Sequence, residues 1–140
     1  MAIYEARTLS VSIDRDWREV YEYASQPRNL RHWASGLGSD LVPSGSEWTA
    51  QGPEGPIRIR FSPPNNVGVL DHVVTVAPGV EILVPIRVMA NGDGSEVALT
   101  LFRLPGMSDE KFAADADWVR RDLSALKALL EAHRKPGAPT

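Results

Sequence analysis

The sequence predicts an α+β fold: one antiparallel sheet of about six to seven strands, two short helices after the first strand, and a long C-terminal helix able to lie across the sheet. Three observations carry this reading. Residues 8–14 alternate strictly, with Leu9, Val11 and Ile13 on one side and Ser10 and Ser12 on the other, the pattern of a half-buried strand. Between residues 48 and 104, β-rich runs are separated by the short turn sequences GPEGP, PPNN, APG and NGDG. Towards the C-terminus, Phe112, Ala116, Val119, Leu123, Leu126 and Leu130 form an apolar stripe of helical period, with Asp117, Arg121, Asp122 and Lys127 on the other side.

Each element follows from local chemistry. After the first strand, Asp14 can cap a helix over 15–25, in which Trp17, Val20, Tyr21 and Ala24 recur at helical spacing until Pro27 stops it. A second short helix over 29–34 ends where Gly36 and Gly38 break the pattern. Strands follow at 48–51, 57–62, 67–76, 80–90 and 96–104, and their short connections make an antiparallel meander. The Asn91-Gly92-Asp93-Gly94 turn is the sharpest signal, because these residues tolerate positive φ. Ser108 suits the N-cap of the last helix. Asp109 and Glu110 favour its first turn, and His133, Arg134 and Lys135 its last. About 26 residues at 1.5 Å each span roughly 39 Å, the width of a sheet.

Composition narrows the function. The 140 residues carry 15 Lys and Arg against 18 Asp and Glu, a net charge of −3. At this length a single domain withdraws about 68–70% of its unfolded surface from water and needs no disulfide or metal staple. With no cysteine, thiolate metal sites, iron-sulfur centres and Cys nucleophiles are excluded. The scattered basic residues argue against a nucleic-acid partner. Residues 80–90, the most apolar stretch, are cut by Glu81, Pro85 and Arg87 and fall short of the ~20 residues of a spanning helix. Glu5 and Arg7 interrupt any secretory signal, so a cytoplasmic location is expected, without membrane insertion. His32, His72 and His133 lack ligand spacing, and no glycine motif suits a nucleotide; neither a metal nor a cofactor is expected. One domain is expected over 1–134, followed by a disordered tail, KPGAPT, at 135–140.

Turn parity assigns the faces of the sheet. If Pro78-Gly79 is a two-residue turn, Ala77 pairs with Val80, so Asp71 lies opposite Ile86 and His72 opposite Pro85. An even-length NGDG turn then sets Ile86 opposite Leu99. One face collects Val69, Asp71, Val73, Thr75, Ile82, Val84, Ile86, Val88, Val97, Leu99, Leu101 and Arg103, and being the more apolar it should meet the long helix. His72, Arg87 and Glu96 are left on the other. A β-bulge would invert the assignment beyond it.

A first strand, two small helices, a meander and a long amphipathic C-terminal helix together resemble the START-like or SRPBCC superfamily, the helix-grip fold. Residues VSIDRDWREVYEYASQPRNLRHWASG are similar to that superfamily's opening. The stretches DHVVTV, VPIRVMANGDGSEVALTLFRLPGMSDEKF and DLSALKALLE resemble an uncharacterised, polyketide cyclase/dehydrase-like bacterial branch. The resemblance covers nearly the whole chain and implies a curved sheet wrapped around the long helix, with a cavity between them for a hydrophobic or amphipathic ligand. The mouth would be formed by Trp33, the GLGSDL loop, residues 63–66 and Gly106-Met107.

Within that frame, Asp71 is the first candidate for acid/base chemistry, since a carboxylate on an apolar face is costly unless paired and its pKa would rise. The alternative is a bulge that turns it outward, or a structural bond to backbone. His72 is the second catalytic candidate, although parity sends it to the opposite face, where it could equally be a surface histidine. Arg103 could bind a ligand oxygen, or else turn carbonyls or Asp109 at the sheet rim. Trp33 could cover the mouth or pack in the core. Ligand-binding positions are expected at Val73, Thr75, Val84, Ile86, Leu99 and Leu101 of the sheet, and at Met107, Phe112 and Val119. The leading function is a carrier or sensor for a small hydrophobic molecule, acting as monomer or homodimer. An enzyme of the cyclase or dehydratase type and a protein-interaction module are the alternatives.

Overall fold

The alternation near the N-terminus forms β1 (Ala6–Ile13), which pairs antiparallel with β8 (Gly94–Phe102), from Ala6 opposite Phe102 to Ile13 opposite Ser95. The computed structural model describes residues 3–35, 39–52 and 55–132. Among them β8 also pairs with β7 (Ile86–Asn91), giving a three-stranded sheet in the order β1-β8-β7. A five-stranded sheet follows chain order: β2 (Ser39–Ser44), β3 (Glu47–Gly52), β4 (Gly55–Phe61), β5 (His72–Ala77) and β6 (Val80–Val84). The 135–140 tail, the basic residues after 132 and positions 36–38 of the GLGSDL loop lie outside the described residues.

Two features separate this arrangement from a single meander. The run over 80–90 divides at Pro85, whose nitrogen cannot donate to a ladder. There the chain leaves β5 and joins β8, with Thr100 N–H donating to the Pro85 carbonyl at 3.0 Å. Secondly, β2 pairs irregularly with β3 through a bulge, and its sequence SDLVPS gives little alternation to read. The expected strand over 67–76 starts only at His72. The residues before it hydrogen-bond to β7 instead, Leu70 N–H to the Ile86 carbonyl at 2.8 Å and Val88 N–H to the Gly68 carbonyl at 2.9 Å, which stitches the two sheets together.

A bulge also decides the faces. Ala77 does pair with Val80, but the register shifts between Thr75 and Ala77, so Thr75 lies opposite Glu81 and His72 opposite Val84. One extra residue reverses every side chain beyond it. His72 and Val74 therefore point inward with Ile59 and Phe61, their partners on β4, while Val73 and Thr75 share the outer face with Arg60 and Arg58. The inward placement expected for Asp71, Val73 and Thr75, and the outward one for His72, are thus corrected. On β7 and β8 the register matches the expected one, Ile86 opposite Leu99, with Val88 and Val97 buried.

The helices show the same mixture. Asp16, not Asp14, caps α1 (Trp17–Ala24), its carboxylate accepting from Arg18 N–H at 3.0 Å. The second segment is a 3-10 helix at Pro27–His32, begun rather than preceded by the proline that ends α1. Ser108 Oγ accepts from Lys111 N–H at 3.0 Å and opens α2 (Asp109–Ala132). The α2 stripe of Phe112, Ala116, Leu123, Leu126 and Leu130 is buried, in the main with Leu9, Ile13, Val97 and Val20 of β1, β8 and α1. Its C-terminal end is tied to the corner after β1: Arg15 donates to the Leu130 carbonyl at 2.6 Å, and Lys127 to the Ser12 carbonyl at 2.7 Å.

Candidate functional site

Two adjacent stripes of α2 do different work. The buried stripe closes on the three-stranded sheet, whereas the next flank, Lys111, Asp115, Trp118 and Asp122, stands beside an open space. This cavity, of about 670 Å³, lies between that flank, α1 with the 3-10 helix, and the inner faces of both sheets. Phe61, His72 and Val84 form its floor on the five-stranded sheet; Ile86, Leu99 and Leu101 continue it across β7 and β8. Exposed Glu22, Gln26 and Lys111 mark the side open to water.

Of the positions singled out from sequence, Trp33, Val84, Ile86, Leu99, Leu101, Val119 and His72 line this space. Phe112 is buried outside the wall. Arg103 and Met107 meet each other at the sheet rim: Arg103 Nε and Nη2 donate to the Met107 carbonyl at 3.1 and 3.0 Å, and Nη1 pairs with Asp109 at 2.6 Å and Glu5 at 3.3 Å. The Asp109 carboxylate, with Glu5 adding to it, raises the Arg103 pKa, and the Asp109 and Met107 contacts join the end of β8 to the start of α2. Phe61 and Leu70 also line the cavity and were missed. Phe61 could have been found from its spacing with Ile57 and Ile59, whereas Leu70 depends on the bulge.

Asp71 turns away from the cavity. Its Oδ1 accepts from Ile86 N–H at 2.9 Å and Arg87 Nε at 3.0 Å, and its Oδ2 from Arg87 Nη2 at 2.8 Å. The Arg87 bonds hold this carboxyl below the usual carboxylate range, outweighing partial burial, with the Ile86 bond adding to them. An acid with a raised pKa is therefore not what this residue provides. Asp71→Asn should destabilise the fold by about 1 kcal/mol, allowing for water around the pair, with no change in small-molecule affinity; urea unfolding and a binding isotherm check both.

His72 has the opposite environment. It is 6% exposed, beside the Phe61 ring at 5.7 Å between centroids, and burial pushes its pKa down more than the Leu70 carbonyl and the Asp71 charge raise it. Nδ1 lies 3.3 Å from the Leu70 carbonyl, which can only accept, so the neutral ring carries its proton on Nδ1 and leaves a lone pair on Nε2. Since the unfolded chain protonates this ring near pH 6.5 and the native state resists doing so, its neutral form stabilises fully above that pH. That contribution is lost as pH falls from about 6.5 towards the lower native pKa, with a slope of at most one proton, about 1.4 kcal/mol per pH unit. The lowered carboxylates Asp71 and Glu96 act in a window below about pH 4. Denaturant midpoints measured between pH 7.5 and 5 should decline, and His72→Phe should flatten the decline.

At the mouth, Ser35 clasps α2. Its Oγ donates to Asp122 Oδ1 at 2.6 Å and accepts from Trp118 Nε1 at 2.6 Å, which fixes the end of the 3-10 segment over the cavity. Trp33, two residues earlier, is 4% exposed, and its Nε1 is a buried donor without a partner among the described residues. The described residues contain no group of three potential ligands able to hold a metal. None of their helices is long and apolar enough to cross a membrane.

Two antiparallel sheets around one long helix, two small helices after the first strand and a cavity between the layers make up a helix-grip fold. Solved structures agree at the level of fold. DynU16, from the dynemicin biosynthetic locus, superposes with a TM-score of 0.69 at 18% identity over 92% of this chain and 48% of its own. CalU16 from Micromonospora echinospora gives 0.66 at 15% over 94% and 77%, and the Aha1 dimer from Colwellia psychrerythraea 0.72 at 13% over 94% and 99%. The chain thus spans about half the length of DynU16. No protein-family profile and no curated protein matches the sequence.

Proposed function

We propose that this protein binds a hydrophobic or amphipathic small molecule in the cavity between α2 and the sheets, as a carrier or sensor. The observation that carries the reading is the cavity itself. About 670 Å³ lined chiefly by apolar side chains falls within the range of ~300–1,000 Å³ typical of small-molecule sites. A core of this size would otherwise close to crystal-like density, because unfilled space forfeits dispersion contacts. The reading calls for no cofactor, metal or nucleic acid, and it suits a monomer or a homodimer in the cytoplasm. Binding is favoured over cyclase-type catalysis because Asp71, the first acid/base candidate, faces away from the cavity and is bound to Arg87, leaving His72 as the one of the two candidates that lines it.

A neutral fluorescent probe, N-phenyl-1-naphthylamine, tests it. The protein should enhance the probe's emission saturably, and Val84→Trp, which extends an indole from the half-buried floor into the space, should lower affinity by more than tenfold with the circular dichroism spectrum unchanged. Equal binding by the parent and the filled variant, or no binding by the parent, would overturn the proposal.

A further inference from the structure

The floor of the cavity holds one group that its surroundings do not explain. Around His72 the nearest strand partners are Phe61 and Val84, and Leu70 and Ile86 line the wall beside them, all apolar. The ring is fixed by strand pairing on both sides and by Nδ1 donating to the Leu70 carbonyl. Nε2 has no protein partner among the described residues, and unlike Trp33 Nε1 it is not sealed off inside the packing. An apolar side chain in this place would fill the floor equally well, since the strand needs only the backbone. What the imidazole adds is a single, oriented hydrogen-bond acceptor on an otherwise apolar surface.

We infer that the ligand is an apolar molecule carrying a neutral hydroxyl group, seated with that hydroxyl donating to Nε2 of His72 and with its hydrocarbon body against Leu99, Leu101 and Val119. The inference rests on the small-molecule reading above and specifies the ligand class of that site. A cationic donor is disfavoured because the floor offers no carboxylate to offset desolvation: Asp71 is on the other face and bound to Arg87, and Asp115 and Asp122 stand on α2 across the cavity. A carboxylate ligand is disfavoured as well, since at neutral pH it would set a second acceptor against the Nε2 lone pair. A molecule with no donor takes Nε2 out of water and returns no hydrogen bond, an unpaired polar group that reduces affinity roughly tenfold or more.

The probes are 2-naphthol and 2-methylnaphthalene, similar in shape and differing in the donor. In the wild-type protein the ratio of their affinities should favour 2-naphthol at least tenfold more than in His72→Phe, a comparison that cancels their different hydrophobicity. Independently of any variant, the His72 Nε2 nitrogen resonance should move on adding 2-naphthol but not 2-methylnaphthalene, while both perturb the Val84 and Leu99 methyl signals. If both compounds perturb those methyls and Nε2 responds to neither, the hydroxyl assignment is wrong and the cavity reading survives. If neither compound perturbs them, both fall together.

Discussion

Gly68→Ala should lower stability by about 3–5 kcal/mol, a large part of the 5–15 kcal/mol that holds a domain of this kind together. Gly68 sits at φ +77°, where a residue with a Cβ incurs about 1–2 kcal/mol. A Cβ built on it would also overlap the Val88 carbonyl oxygen, which is backbone and cannot swing aside. Relief requires moving residues 68–70 away from β7 and losing the Val88–Gly68 and Leu70–Ile86 hydrogen bonds, about 1 kcal/mol each. Because these bonds stitch the two sheets, the damage should reach the cavity floor. Denaturant unfolding checks the size, and a loss under 1 kcal/mol would mean that the close approach is not a constraint.

Leu126→Ala should cost about 3–5 kcal/mol. Leu126 is fully buried on the α2 stripe, in the cluster with Leu9, Ile13 and Val97. The Arg15 and Lys127 bonds that tie α2 to the corner after β1 limit how far the helix can settle into the space left. Most of the cavity term should therefore remain. Ser124→Ala, exposed on the same helix, should stay within about 0.5 kcal/mol, which separates the packing effect from helix propensity. Equal unfolding midpoints for the two variants would show that the stripe is not the seam assigned to it.

Both predictions concern the closed end of the molecule, where α2 is pinned; the open flank leaves the cavity. That division explains how a chain with no cysteine to staple it can keep a core and a hollow together. One stripe of the helix is used for stability, and the flank beside it faces the space in which His72 presents Nε2.

Much of this was legible in the residues alone. The alternation of Leu9, Val11 and Ile13 and the spacing from Phe112 to Leu130 specify a strand and a helix locally, because period 2 and period 3.6 place whole faces against the core without reference to distant partners. The NGDG turn, which sets Ile86 opposite Leu99, and the Ser108 cap are equally local. The shape of the fold and the wall positions Val84, Leu99 and Val119 follow from these signals.

The faces of β5 were decided only in three dimensions. An extra residue between Thr75 and Ala77 leaves no mark in hydrophobic pattern, since Val73, Val74, Thr75 and Val76 are β-formers on either side of the sheet. Yet it exchanges Asp71 for His72 at the cavity floor. The kink at Pro85 likewise turns one long apolar run into strands of two sheets, and it depends on which neighbour accepts each edge. Local periodicity thus settled which elements exist, while pairing register, a property of two strands at once, settled which chemistry faces the ligand.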